Sequence, residues 1–496
     1  MPYYITTPIY YVNAEPHLGH AYTTIAADVL ARHMRQRGQE VFFLTGTDEH
    51  GEPVAQAAER QGMTPQELVD RNAPKFQNLV TKLGVTNDFF VRTSDEEHKK
   101  GVQEVLQRVY DSGHVYNGHY EGYYCPRCAD FKTDNELVDG NKCPIHLIVL
   151  EREVEDNWFF RLSEFQEPLE KLYADDPGWV LPDFRYNEAL SFIRQGLQDV
   201  SLSRPRISWG VEVPWEPSQV FYVWFDALLN YYTALTYAPG GGVEKFWPPT
   251  VQLLAKDILK FHAVIWPALL MAAELPLPRQ LYIHGYLLMD EHKMSKSLGN
   301  VIDPFDVIEK FGTDALRFYL MREVSFGQDG NVSPEGFESR YTSELANEYG
   351  NLASRTLSMI ERYRDGVVEP TETPVAAEFA DAAGALSRAF DRVDVTGGIE
   401  EAWRLVRGLN RYIQQEEPWK LAKDDAQRQR LDAVLYGVAE GLRVVSLLLL
   451  PVIPAAAEEL LDALGEERRG LDAARFGDWA GGSVSKIEPL FPRIEA

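Results

Sequence analysis

The apolar positions of this chain change their period along its length. Tyr3 to Val12 is dense in Tyr, Ile and Thr, the residue types of a strand. Helical spacing follows from about Leu18 to Arg37, then a short apolar strand, Val41 to Leu44. Thr45-Gly46-Thr47-Asp48-Glu49-His50-Gly51 reads as a loop at that strand's carboxyl end. Strand and helix patterns alternate to about Ser112, lapse between Gly113 and Pro214, and resume with Val220 to Trp224, Val251 to Ala255 and Leu281 to Leu288. Such alternation predicts an α/β fold: a Rossmann-type, doubly wound parallel sheet, here split by an insertion, with ligands at the carboxyl ends of its strands. A helical region near Pro304 to Arg322 then leads into an all-helical end. There Phe379, Ala383, Leu386, Phe390 and Val393 recur at helical spacing, as do Ile399, Trp403, Val406, Leu409 and Ile413, the core pattern of a bundle. The longest apolar stretch, Leu442 to Pro454, is interrupted by Arg443, Ser446 and Pro451. It is too short to span a bilayer and predicts a buried helix, so no membrane partner is expected.

Length and charge narrow the picture. A chain of 496 residues exceeds one core and predicts several domains; 45% hydrophobic and 12% aromatic residues are the composition of a globular enzyme. The net charge of −26 argues against a broadly basic, nucleic-acid-binding face. Any RNA contact must then rest on a local basic strip, with moderate, salt-sensitive affinity. Met1 to Glu15 lacks the basic start of a secretory signal, and three cysteines, an odd number, argue against a disulfide framework. A reducing, cytoplasmic location is expected.

The cysteines fall in a pattern of their own. Cys125-Pro-Arg-Cys128 and Cys143-Pro-Ile-His146 form two knuckles separated by fourteen residues. Ligands at i and i+3, twice over, make a tetrahedral S₃N set suited to Zn²⁺. Four protein ligands leave no open position, so a single structural zinc is expected. A redox reading of the first knuckle ignores the second.

Two further motifs lie far apart. His17-Leu18-Gly19-His20 follows the first predicted strand at a helix start, where unpaired backbone N–H groups and the helix dipole favour phosphate. Gly19, without a side chain, lets a flat adenine approach the backbone. Lys293-Met294-Ser295-Lys296-Ser297 sets two ammonium groups on a polar loop, as needed where charge develops on a transferring phosphorus. Together the two motifs describe a site gripping ATP from two sides.

HLGH resembles the "HIGH" signature of the class I aminoacyl-tRNA synthetases, with Leu18 in place of Ile, and KMSKS matches its partner unchanged. From about Tyr3 to about residue 465 the chain is similar to the methionyl branch of that family. The resemblance implies ligation of L-methionine to tRNA(Met) through an adenylate. It implies a catalytic domain in two halves (residues 1–112 and 215–290), an inserted connective domain with a zinc knuckle (113–214), a KMSKS loop and stem-contact region (291–345) and a helical anticodon-binding domain (346–496). His17, His20, Lys293 and Lys296 are then catalytic, and with Gly19, Asp257 and Ser295 they bind ATP and its Mg²⁺. Asp48 holds the substrate ammonium. Ile9 and Tyr11 form one wall of the methionine pocket, Trp224, Ala227, Leu228 and Tyr231 another, and Ile258, Phe261 and His262 a closing helix. The Tyr231 hydroxyl and the Ile9 N–H are weak donors suited to the thioether sulfur. Asn351 and Arg355, at i and i+4, and Pro418-Trp419 match the anticodon-reading positions.

About a hundred inserted residues cannot hold the large editing domain of the isoleucine, leucine and valine enzymes, and a four-ligand zinc does not suit the cysteine enzyme, whose active-site zinc keeps an open position. The alternatives are a class I enzyme for another amino acid, a free-standing nucleotidyltransferase or a non-catalytic tRNA-binding relative. Lacking the oligonucleotide-binding domain that dimerises some family members, the chain is expected to be a monomer.

Overall fold

A computed structural model describes residues 2–125, 130–132, 134–145, 147–289, 292–293 and 302–494. Its centre is a seven-stranded sheet in the order Tyr10–Tyr11, Val41–Asp48, Tyr3–Thr6, Val251–Ala255, Leu281–His284 and Val180–Leu181, with Phe89–Arg92 also paired to Val41–Asp48. Every pairing is parallel, and Ile5 sits opposite both Phe43 and Val251. The chain leaves Tyr3–Thr6 and returns by the helix Leu18–Gln36, whose apolar face (Leu18, Ala21, Tyr22, Ile25, Val29) is buried. Carboxyl ends of the strands thus converge near Thr6, Asp48, Ala255 and His284, where the doubly wound rule places a ligand.

Four expectations differ from the structure. The strand Tyr3 to Val12 breaks at Thr7-Pro8-Ile9, because Pro8 has no N–H for the ladder. Thr45 to Asp48, read as a loop, instead extends the strand Val41–Asp48 and pairs with Phe90 to Arg92. Gly46 is required there: a Cβ would stand 2.0 Å from the Val91 carbonyl oxygen. Val220 to Trp224 is not a strand of the parallel sheet. Glu216–Phe221 pairs antiparallel with Ser203–Arg204 and Glu212–Val213, and Trp224 lies on the helix Val223–Leu228. Leu281 to Leu288 divides into Leu281–His284 and Leu287–Met289, the latter paired with His292–Lys293 and Gly330–Asn331.

Within residues 113–214, Val115–Cys125, Asp130–Lys132, Glu151–Phe160 and Val200–Ser201 form a separate antiparallel sheet. Val180–Leu181, from the same span, joins the edge of the parallel sheet. The far end of the chain is helical: Asn351–Arg364, Ala382–Phe390, Val395–Glu416, Arg428–Leu449 and Pro454–Ala463 pack around Trp403, Leu409 and Leu442, all fully buried. Buried Arg317 fastens this bundle to the helices that flank the sheet, donating to the carbonyls of Leu83, Pro451 and Val452 and pairing with Asp28, on Leu18–Gln36, at 2.7 Å. Among the described residues no helix is long and apolar enough to cross a membrane.

Candidate active site

The helix Leu18–Gln36 begins with a cap built from histidines. His17 accepts the Gly19 N–H at Nδ1 (3.1 Å), and the His17 N–H donates to Nδ1 of His20 (3.0 Å), so the two rings stack with centroids 3.8 Å apart. This is a capping box with imidazoles where Ser and Glu usually stand. With each Nδ1 accepting, the neutral rings carry their proton on Nε2, a donor suited to phosphate oxygen. Tyr10 and Phe76 meet the His20 ring edge-on at 4.7 and 5.3 Å and hold it in place. Gly19 is closely fitted as well: a Cβ would lie 3.0 Å from His17 Cε1.

Both imidazoles line a cavity of about 360 Å³. The same cavity is lined by Ile9, Tyr11, Gly19, Asp48, Trp224, Ala227, Leu228, Tyr231, Asp257, Ile258 and His262. Phe261 stands behind Trp224, the rings nearly parallel (6°) with centroids 3.8 Å apart. Phe261 and His262 sit on a π-helical turn, Phe261–Ile265, a local widening frequent at functional sites. Thus one cavity joins a phosphate-suited helix end, a carboxylate and an aromatic cage.

Asp48 ends its strand 3% exposed, and its Oδ1 has no hydrogen-bond partner among the described residues. Burial pushes its carboxyl well above the ordinary range, and the neighbouring Asp226 carboxylate pushes the same way; the His50 amide and the Tyr11 hydroxyl pull down. A buried acid with one oxygen unpartnered among the described residues is suited to a cation. Tyr231 donates to His262 Nε2 at 2.9 Å, because His262 Nδ1 is committed to the Ile258 carbonyl at 3.1 Å. Its one proton is therefore used, and the expected donation to sulfur from the Tyr231 hydroxyl is not available in this geometry. The cage offers its ring face instead. Sequence reasoning missed Tyr22, Thr23 and His284, which also line the cavity; His284 Nε2 lies 2.7 Å from the Thr23 hydroxyl.

Lys293 ends the two-residue strand His292–Lys293, its backbone opposite Leu288, next to cavity-lining Leu287. Ser295 and Lys296 lie outside the described residues. So do Cys128 and His146. Cys125 and Cys143 are described: both are fully buried and share one small cluster with Leu150. Far from the cavity, Asn351 is exposed at a helix start, and Arg355, one turn on, holds its guanidinium 6.0 Å from the centroid of the half-buried Trp419 ring. Pro418, at the first position of the next short helix, is buried.

Two family models cover this architecture. One, tRNA synthetases class I (M), matches residues 3–149 and 149–357; the other, the anticodon binding domain of methionyl tRNA ligase, matches 364–478. The chain belongs to the methionyl-tRNA synthetase family. Among methionyl-tRNA synthetases, the methionine–tRNA ligase of Streptomyces coelicolor is 46% identical over 527 residues, covering 99% of this chain and 97% of its own. That of Bacillus subtilis is 42% identical, covering 100% of this chain and 78% of its own. The Mycobacterium tuberculosis methionyl-tRNA synthetase in complex with methionyl-adenylate superposes with a TM-score of 0.95 at 39% identity, over 99% of this chain and 100% of that one. Its apo form gives 0.88 at 36% identity, over 100% and 98%. The class I parallel sheet and the helical anticodon-binding domain are therefore those of methionyl-tRNA synthetases.

Proposed function

We propose that this chain joins L-methionine to tRNA(Met) at the expense of ATP, through a methionyl-adenylate. The observation that carries this reading is the shared cavity: stacked His17 and His20 at a helix start line the same space as buried Asp48 and the Trp224–Phe261 stack. In the first step a carboxylate oxygen of methionine attacks the α-phosphorus of ATP, and pyrophosphate leaves with the electrons of the broken P–O bond. In the second, the terminal ribose hydroxyl of the tRNA attacks the adenylate carbonyl and AMP departs.

No protein nucleophile is needed, so the chain works by positioning and by stabilising charge. His17 and His20 present Nε2–H groups to the phosphates, Gly19 leaves room for adenine, and Asp257 and Ser295 complete the nucleotide site. Lys296, assisted by Lys293, stabilises the transition state, and Mg²⁺ accompanies the triphosphate. Asp48 takes the substrate ammonium. Ile9, Tyr11, Trp224, Ala227, Leu228, Tyr231, Ile258, Phe261 and His262 enclose the thioether, where sulfur–aromatic contact favours it by about 0.3–1.5 kcal/mol. Asn351, Arg355, Pro418 and Trp419 read the anticodon by base-edge hydrogen bonds and stacking.

The donor set also suits a structural zinc. Cys125 and Cys143 lie buried in one cluster, and with Cys128 and His146 they would hold Zn²⁺ with no open position. The ion would tie down an insert tip with little core of its own.

Methionine-dependent ATP–pyrophosphate exchange, run against the twenty amino acids, tests the assignment. Exchange with methionine alone, and methionylation of tRNA(Met), are expected. Faster exchange with another amino acid would overturn it.

A further inference from the structure

Asp226 lies on the helix Val223–Leu228, between Trp224 and the Ala227–Leu228 wall, and has no task in the mechanism above. Both of its oxygens are engaged. Oδ2 accepts from His50 Nδ1 at 2.6 Å and Oδ1 from His98 Nε2 at 2.7 Å, while His98 Nδ1 is hydrogen-bonded with the Thr233 hydroxyl at 2.6 Å. The whole array is closed to water, with Asp226 and His98 at 0% and His50 at 1% exposure. His50 follows the strand Val41–Asp48, and His98 belongs to the helix Glu96–Asp111. Asp226 therefore fastens three elements together behind the cavity.

One of the three carries Asp48. His50 stands two residues beyond Asp48, its backbone amide placed to draw the Asp48 carboxyl down, and the His50 ring, edge-on to Trp209 at 5.3 Å, has an Nε2 with no partner among the described residues. The bond to Asp226 is what orients that ring. We propose that Asp226 is a positioning residue for methionine activation: through His50 it fixes the turn that aims Asp48, and it sets a second negative charge behind the substrate's ammonium group. The proposal rests on reading the cavity as the methionine site.

Charge gives it a second readout. Burial alone would raise the Asp226 carboxyl, but His50 and His98 overcome this and hold it at about 2, so it is an anion at working pH. That anion adds to burial in favouring a proton on Asp48. The other groups facing Asp48 are the Tyr11 and Tyr231 hydroxyls, which burial holds neutral, the Glu49 carboxylate, paired with Arg92 at 2.8 Å, and His50 itself. Methionine binding must therefore weaken as pH falls and Asp48 takes up a proton. Without the Asp226 charge that acid limb moves to lower pH.

In ATP–pyrophosphate exchange, Asp226→Asn is expected to raise the methionine KM roughly tenfold, within the ~10²-fold that an ångström's misplacement can cost. The ATP KM should hold, and the acid limb of kcat/KM for methionine should shift to lower pH. His98→Gln, which keeps an N–H for Asp226, should behave as wild type, whereas His98→Leu should raise the methionine KM. If Asp226→Asn does not fold, the His98 pair decides. An unchanged methionine KM, or an equal loss for methionine and ATP with the acid limb unmoved, overturns the proposal. Absence of methionine-dependent exchange in the wild type overturns instead the reading of the cavity.

Discussion

Replacing Tyr231 by phenylalanine removes one oxygen atom from the cavity wall and leaves a neighbour without its partner. His262 is 2% exposed, and its Nδ1–H is given to the Ile258 carbonyl at 3.1 Å. Its Nε2 must then accept, and the Tyr231 hydroxyl supplies the proton at 2.9 Å. Burial pushes the His262 pKa down to about 4, so at neutral pH the ring cannot escape by protonating. In Tyr231→Phe a buried acceptor stays unsatisfied, which costs about 1–3 kcal/mol of stability. Methionine binding should change less. The phenyl ring keeps the sulfur–aromatic contact, and the lost proton was not pointed at sulfur, so the methionine KM should rise by under about tenfold, or ~1.4 kcal/mol. Urea unfolding followed by tryptophan fluorescence measures the first effect, and pyrophosphate exchange the second. The double variant Tyr231→Phe/His262→Leu removes both polar partners, so it should lose less than the sum of the single variants, by about 1 kcal/mol or more. Strict additivity, or wild-type stability in Tyr231→Phe, would refute the assigned donor and acceptor.

Four other outcomes follow from the same geometry. In Gly19→Ala the new Cβ would crowd His17 Cε1 at 3.0 Å; the ATP KM should rise in pyrophosphate exchange while methionine binding measured without ATP is unchanged. His33, His262 and His284 all have pKa values lowered from 6.5 to about 4, chiefly by burial. Because the unfolded chain binds those protons first, their contribution to stability is complete above about pH 6.5 and is lost as pH falls toward 4, each by roughly 3 kcal/mol at 1.4 per tenfold; urea midpoints that stay level across that window would contradict it. Trp419→Ala should raise the tRNA KM about tenfold, within the ~1–3 kcal/mol of one stacked base, and leave pyrophosphate exchange intact; a loss of both means misfolding. Metal analysis of unchelated protein should give one zinc per chain, and Cys125→Ser should lower that content and loosen the insert to protease.

What the sequence could reveal depended on how local the determining physics was. The helix from Leu18 was legible because its apolar period, its capping histidines and its length all act within one segment. Thr45 to Asp48 was not, because Gly, Thr and Asp are turn residues by local preference, and only pairing with Phe90 to Arg92 makes them a strand. Val220 to Trp224 failed for the complementary reason. An apolar run marks burial, and burial inside a small antiparallel sheet looks the same in sequence as burial in the parallel one. The site followed the same rule. His17, Gly19 and His20 are one motif and read as a unit, and the residues proposed for the methionine pocket were drawn from three segments by resemblance rather than by any spacing.

The Asp226 array shows where such reading must stop. His50, Asp226 and His98 stand in three stretches with no shared motif, and each could be an ordinary residue of its element. Their meaning is relational: a buried carboxylate tied to two imidazoles lies beside a second buried carboxylate, Asp48, that is pushed the opposite way. Two acids of one type are pushed in opposite directions only because their surroundings differ, and those surroundings exist only after folding. In the proposed arrangement Asp48 owes its aim to the turn that His50 holds two positions on, and His50 owes its ring orientation to a hydrogen bond with Asp226, 176 positions away. A variant that leaves every pocket-lining side chain intact but frees His50 should therefore weaken methionine recognition, which an inventory of lining residues would not anticipate.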